Sequence, residues 1–225
     1  KFDFNKFSLD INCDIFLSKF GIDSGTKILT AVQTFLKEKL DVDDINFIDL
    51  YNSTKKELKI ITTNYSLGTN EIFSYKTTPK VSVLLAIRMS ISVPIVFTPV
   101  EFKGNYYVDG GLTCNFGMKY CNRDTTLGFA VTNLEKKNNL NSLPEYIFNL
   151  CSIVMNFNTI GYVEHLESIN LKHSYIKIVC RQKEMFKFDV TKNMIDDLLE
   201  DGLISTKKYY SNFVVNDIMD NLVEE

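Results

Sequence analysis

The stretch "SGTKILTAVQTFLKEKL" places Ile28, Leu29, Val32, Phe35 and Leu36 at spacings of three and four, which predicts an amphipathic helix with Ser24 as its N-cap. An acid-rich connection and a short helical turn around Ile45 to Tyr51 follow. "ELKIITTN" and "NEIFSYKTT" are β-branched, partly alternating runs, so two strands joined through "YSLGT" are expected. Pro79 marks a helix start, and "KVSVLLAIRMS" is too densely apolar for an exposed helix; it reads as a buried one that stops before Pro94. "VPIVFTPVEFKGNYYVDGG" reads as a turn and a β-hairpin with Lys103, Gly104 and Asn105 at its tip. Beyond it come a buried strand in "TTLGFAVTN", a polar loop over 135–142, an apolar helix from Pro144, a strand at "SYIKIVC" and two helices beginning near Thr191 and Ser205. Strands alternating with helices predict a layered α/β fold with a central mixed or parallel sheet flanked by helices. There is no repeat, low-complexity tract or linker, so residues 1–225 are expected to form a single domain.

Composition narrows the chemistry. With a net charge of −3 and no basic block, the chain lacks the surface that neutralises nucleic-acid phosphates, so no nucleic-acid partner is expected. The cysteines Cys13, Cys114, Cys121, Cys151 and Cys180 make no C-x-x-C pair and read as reduced thiols. His165 and His173 fall outside any metal-binding pattern and read as surface or packing residues, so neither a metal nor a cofactor is predicted. The acids of "DVDD" at 41–44 lack the loop length, the glycine and the closing glutamate of an EF-hand, and read as a solvated turn; "EKKNN" reads as an exposed loop. The N-terminal residues do not have the order of regions that marks a secretory signal. The most apolar stretch, "YIFNLCSIVMNFNTIGY" at 146–162, is interrupted by asparagines and falls short of a clean membrane span of ~20 residues. Its apolar residues nearly encircle a helix, and it is assigned to the core in preference to a lipid-facing surface. A cytoplasmic location, in a cell or a virion, is expected.

The chemistry concentrates at "YYVDGGL", where a β-prone run ends in Asp109, Gly110 and Gly111. An acid at a strand end can reach a site from a rigid base. The two glycines permit positive φ or a close approach of another backbone or a substrate. The tripeptide by itself equally describes a tight turn. Its surroundings are more specific: "AIRMSISVPIVFTPVEFKGNYYVDGGLTCNFG" resembles the second half of the catalytic region of patatin-like phospholipases, with an Ala-x-Arg-x-Ser helix, a Phe-x-Pro turn, a hairpin and then Asp-Gly-Gly. "TTLGFAVT", "FDVTKNMIDDLLEDGLISTKKYY" and "FGIDSGTKILTAVQTFL" are similar to later and earlier parts of that family, chiefly its bacterial and large-virus members. The resemblance implies a patatin-type fold and phospholipase A-type hydrolysis of an acyl-ester lipid by a Ser-Asp dyad, with peripheral membrane contact. It makes Asp109 the catalytic aspartate and Gly110 and Gly111 its supporting glycines. Arg88 corresponds to a structural helix arginine.

The family's other half, a Gly-x-Ser-x-Gly nucleophile elbow and a glycine-rich oxyanion loop, has no counterpart in this sequence. "GIDSG" is the nearest imitation, but no β-run is evident before it, and Ser24 is assigned to a helix cap. In the family both motifs precede the segment that matches here. The expectation is therefore a chain without its N-terminal strand–helix units, whose serine comes from a missing segment or a companion peptide. The alternative is a non-catalytic scaffold that binds lipid or protein. Gly117 stands where many members carry proline.

Overall fold

A computed structural model describes residues 18–122, 125–133, 143–171, 174–180 and 191–223. These residues fall into two compact units, the first running to Asn115 and including a long helix up to Met155, the second taking Phe116 onward and that helix from Asn156.

In the first unit, β1 (Gly21–Asp23) leads into α1 (Thr26–Leu40), followed by α2 (Phe47–Thr54), β2 (Ile60–Asn64), β3 (Thr69–Phe73), α3 (Val83–Ser90), β4 (Ile95–Phe97), β5 (Val100–Phe102), β6 (Asn105–Asp109) and the single turn α4 (Gly111–Cys114). β1 and β4 pair in parallel. The other four strands form an antiparallel sheet in the order β3-β2-β6-β5. Both expected hairpins are present. The β5–β6 turn is Lys103-Gly104 with φ of 51° and 75°, the pair of positive values that matches a tight hairpin to strand twist. β6 runs antiparallel to both neighbours, β5 across the hairpin and β2 from earlier in the chain, so Asp109 ends a strand of an antiparallel sheet.

Helix starts obey local capping chemistry where a cap is free to act. Asn46 Oδ1 accepts from Asp49 N–H at 2.9 Å, and Ser82 Oγ accepts from Leu85 N–H at 3.0 Å. The buried helix therefore begins after Ser82 and not at Pro79, and it buries Val83, Leu84, Ala86, Arg88 and Met89. Ser82 Oγ also donates to Asp44 Oδ2 at 2.6 Å, so one acid of the 41–44 turn has a structural job. Ser24 does not cap α1, in contrast to the expectation. Gly25, left-handed at φ 73°, occupies the cap position with no side-chain bond, while the Ser24 hydroxyl pairs with Thr26 Oγ1 at 2.8 Å. The core of this unit gathers Phe47, Ile60, Phe73, Val81, Val83, Ala86, Met89 and Tyr107. Phe73, Phe102 and Tyr107 meet in tilted and edge-on contacts with centroids 5.9 to 6.3 Å apart.

The second unit holds the 3₁₀ turn Gly117–Tyr120, β7 (Gly128–Asn133), the C-terminal half of α5 (Leu143–Ser168), β8 (Tyr175–Cys180) and α6 (Lys192–Val223). β7 and β8 pair in parallel, and Phe116, Met118, Ala130, Val163, Leu166 and Tyr175 pack together. α6 is one helix and not two. Thr191 Oγ1 caps it by accepting from Met194 N–H at 3.3 Å, and it continues through Ser205, where a second helix was expected to begin, with open space around Gly202. The loop at 135–139, His173 and Cys13 lie outside the described residues.

Among the described residues, parallel and antiparallel sheets flanked by helices make this an α/β fold, as expected, with the pairing divided among three sheets. No described helix is long and apolar enough to cross a membrane.

Candidate active site

Asp109 is held from the backbone outward. Its N–H donates to the Ser92 carbonyl at 2.9 Å, and its carbonyl accepts from Thr63 Oγ1 at 2.7 Å. Thr63 Oγ1 in turn lies 2.9 Å from Thr113 Oγ1, so β2 and α4 fix the same peptide. Ser90 Oγ donates to the Ile61 carbonyl at 2.7 Å, which closes α3 onto β2 beside it. Among the described residues, the side chain itself is placed by one hydrogen bond, in which Asp109 Oδ1 accepts from Gly111 N–H at 2.7 Å.

Asp109 is half-buried. Burial pushes its pKa up to about 6, and the Gly111 N–H opposes that shift only in part. The cover includes α5: Met155 Cε lies 3.3 Å from where a Cβ on Gly111 would stand, and the Asp109 charge helps to raise the pKa of Cys151, though burial of that thiol contributes more. A carboxyl group poised near neutrality, with one oxygen engaged by a backbone amide, can exchange a proton through the other.

The glycines act by close approach, since Gly110 has φ −63° and Gly111 is not among the residues of positive φ. A Cβ on Gly110 would stand 2.1 Å from the Ile61 carbonyl oxygen, inside any contact that atoms tolerate. On Gly111 it would lie 2.7 Å from Asn115 Oδ1 and 2.9 Å from Asp109 Oδ1, crowding the acid itself.

Arg88 belongs to a different network. Its Nε donates to the Ser24 carbonyl at 2.8 Å, one terminal nitrogen to Ser92 Oγ at 2.5 Å, and the other to the Thr98 carbonyl at 2.7 Å and Thr98 Oγ1 at 2.9 Å. The guanidinium also lies over the Phe97 ring at 5.8 Å. Burial lowers its pKa and the Asp23 charge works against that shift. Arg88 and Asp109 share one segment, since Ser92 takes the arginine on its hydroxyl and gives its carbonyl to Asp109 N–H.

Ser24 does follow a strand, the three-residue β1, which its sequence had not revealed. It remains exposed, and among the described residues no hydrogen bond joins it to Asp109. His165 is exposed, with its ring 5.9 Å from that of Tyr162. Among the described residues, Cys114, Cys121, Cys151 and Cys180 form no disulfide. The described residues contain no group of three or more His, Cys, Asp or Glu side chains that could hold a metal ion. Thr63, Ser92, Cys151 and Met155, which build the surroundings of Asp109, were not evident from the sequence. Only strand pairing, Thr63 opposite Val108, could have pointed to the first of them.

Comparison with known proteins adds a decisive observation: residues 1–121 match the family model described as patatin-like phospholipase. The chain belongs to the patatin-like phospholipase family. An uncharacterized protein, R571, of Acanthamoeba polyphaga mimivirus is 27% identical over 200 residues, covering 84% of this chain and 65% of that protein. A probable lipid hydrolase, 463L, of Invertebrate iridescent virus 6 is 30% identical over 143 residues, covering 60% of this chain and 49% of that one. The chain thus spans about half to two thirds of the length of these curated relatives. The family match ends just past the 3₁₀ turn, so it contains Arg88, Asp109, Gly110 and Gly111.

Proposed function

We propose that the chain supplies the general base of a lipid acyl hydrolase of the phospholipase A type, with Asp109 as the aspartate of a Ser-Asp dyad. The observation that carries this reading is the Asp109 carboxylate: clamped at its backbone, raised in pKa to about 6, and bonded through Oδ1 to a single amide. In the first step a serine Oγ attacks the ester carbonyl while its proton passes to Asp109, and the departing alcohol takes that proton as the acyl-serine forms. In the second, Asp109 accepts a proton from water, hydroxide adds to the acyl group, and the proton returns to the serine oxygen as the fatty acid leaves. The serine comes from a segment other than these residues, since none of them makes a Gly-x-Ser-x-Gly motif. Peripheral contact with a phospholipid surface follows from such a substrate.

The test is fatty-acid release from phospholipid vesicles by the full gene product. Asp109→Asn is expected to lower turnover by ~10³-fold, the scale of a lost general base, with circular dichroism unchanged. Turnover of the native protein should rise with pH through about 6, as the base loses its proton. Undiminished release by Asp109→Asn would refute the role.

A second reading, a non-catalytic patatin-like scaffold that binds lipid or protein, is favoured by the missing motif alone. The denaturing mass of the purified native protein separates the two. A species heavier than 25.9 kDa, or a companion peptide carrying the serine, supports the enzyme, whereas a single species of that mass supports the scaffold.

A further inference from the structure

β2 carries two buried threonines, Thr62 and Thr63, where valine would suit the strand equally well. A hydroxyl is costly to bury unless it is bonded, so Thr63 is explained by its partners and not by the sheet. Its single hydrogen goes to the Asp109 carbonyl, which can only accept, at 2.7 Å. The hydrogen in the 2.9 Å contact between the Thr63 and Thr113 hydroxyls therefore belongs to Thr113, and the chain of bonds runs one way, from Thr113 to Thr63 to the Asp109 carbonyl. Asp109 and Thr113 stand on either side of Gly110 and Gly111, the residues with the least torsional restraint in the corner. The peptides between them are pinned in turn: Gly110 N–H donates to the Ser90 carbonyl at 3.3 Å, and the Gly110 carbonyl accepts from Thr113 N–H at 3.2 Å and Cys114 N–H at 2.9 Å. The Gly111 amide that meets Asp109 Oδ1 lies inside this bracket.

We propose that Thr63 is a positioning residue of the acyl transfer: with Thr113 it brackets the glycine pair and holds the Gly111 amide on Asp109 Oδ1, so that the other carboxylate oxygen meets the serine proton. The proposal rests on Asp109 being the base of a lipid acyl hydrolase. Thr63 bonds the backbone of Asp109 and not the carboxylate, so it acts through the Gly111 amide. Without its hydroxyl the glycine pair gains torsional freedom, the charged carboxylate loses its donor for part of the time, and its affinity for a proton rises. The ionisable neighbours do not supply such a shift. Cys151 of α5 feels the Asp109 charge, but with its raised pKa that thiol stays neutral near pH ~6. Arg88 reaches the same segment through Ser92 and keeps its charge throughout. Glu71 lies on β3, opposite Thr62, which in turn stands opposite Asp109, and its carboxylate is engaged by Tyr107 and Asn64. The Tyr107 hydroxyl, pushed up to about 12, stays neutral.

The experiment compares Thr63→Val, which keeps the β-branch and removes the hydroxyl, with Thr63→Ser, which keeps the hydroxyl, in the full gene product. The readouts are the Asp109 carboxyl carbon resonance across pH, assigned by its absence in Asp109→Asn, and fatty-acid release from phosphatidylcholine vesicles. Thr63→Val should raise the Asp109 pKa by about half a unit to one unit, and the acidic limb of kcat should move by the same amount. At pH ~6 its kcat should fall about tenfold with KM within about twofold of native, because Thr63 orients the base and does not bind lipid. Thr63→Ser should restore the titration and the limb, with kcat within about threefold of native. A Thr63→Val protein that melts lower with an unmoved Asp109 titration would reduce the hydroxyl to a structural bond and overturn the proposal, as would a serine variant that behaves like the valine one. If Thr63→Val does not fold, Thr113→Val decides. It removes only the outer donor and should move the titration by a smaller amount in the same direction; an unmoved titration overturns the bracket. The base fails separately: a titration that moves while the limb of kcat stays in place would overturn Asp109 as the base and the role of Thr63 with it. An unmoved titration and limb beside an inactive Asp109→Asn would overturn Thr63 alone.

Discussion

Arg88 and Asp109 are two charges withdrawn from water in the same unit, and the fold treats them in opposite ways. The guanidinium makes four hydrogen bonds, to Ser24, Ser92 and Thr98, and lies over the Phe97 ring. The Asp109 side chain is bonded to Gly111 N–H, while the remaining clamps fall on its backbone. A buried charge with four of its five donors engaged is a structural joint, because alternative states lose bonds. A half-buried charge with a backbone clamp and an incompletely engaged head is costly to fold around, and that cost makes its proton available near neutral pH.

Three changes would break or sharpen this contrast. The largest effect is expected from Arg88→Met, which leaves the carbonyls of Ser24 and Thr98 and the hydroxyl of Ser92 without their donor. The loss should be about 3–5 kcal/mol in chemical denaturation, the scale of a broken buried charge network. A loss below about 1 kcal/mol would mean that water replaces the guanidinium and that its bonds are not structural.

Asp109→Asn should act in the other direction. The folded-state pKa of Asp109 is raised above its ordinary value, so its contribution to stability is fully present below the ordinary carboxylate range and is lost as pH climbs through about 6. The amide cannot ionise and keeps an oxygen for Gly111 N–H. At pH ~7 the variant should be more stable than the native protein by about 2–3 kcal/mol, an advantage that shrinks toward zero near pH ~4. Parallel melts at the two pH values would show it; a gain independent of pH would assign the effect to something other than the buried charge.

The smallest effect is expected from Met155→Gln, which sets an amide beside the acid in place of a thioether. Less desolvation should lower the Asp109 pKa by about one unit, read from its carboxyl carbon resonance across pH. An unmoved titration would show that α5 does not shield the carboxylate.

Much of this arrangement was legible from local pattern. Both hairpins, the buried α3 and the position of Asp109 at a strand end follow from alternation, glycine placement and helical spacing, which act between residues close in sequence. The parts missed are those where distant segments decide. β1 and β4 are three residues each, too short to carry a period, and exist because they pair with one another. Ser24 has the right side chain for a cap, yet its carbonyl is taken by Arg88 from α3 and Gly25 takes the cap position. α6 runs on through Ser205, where a second helix was expected to begin, and Gly202 weakens a long helix without ending it.

By itself, then, the sequence determined the α/β class, the Asp-Gly-Gly corner and the family to which the corner points, because each is written in residues that are neighbours along the chain. Only the tertiary structure decided why the glycines are needed: Gly110 for the approach of Ile61 and Gly111 for space beside the acid, not for unusual torsion angles. It also decided that Asp109 is half-buried, that Arg88 is held by four hydrogen bonds, and that apolar residues of α5 such as Leu143 and Ile153 are exposed. Desolvation, close contact and exposure depend on which distant surfaces meet, and local pattern does not encode that.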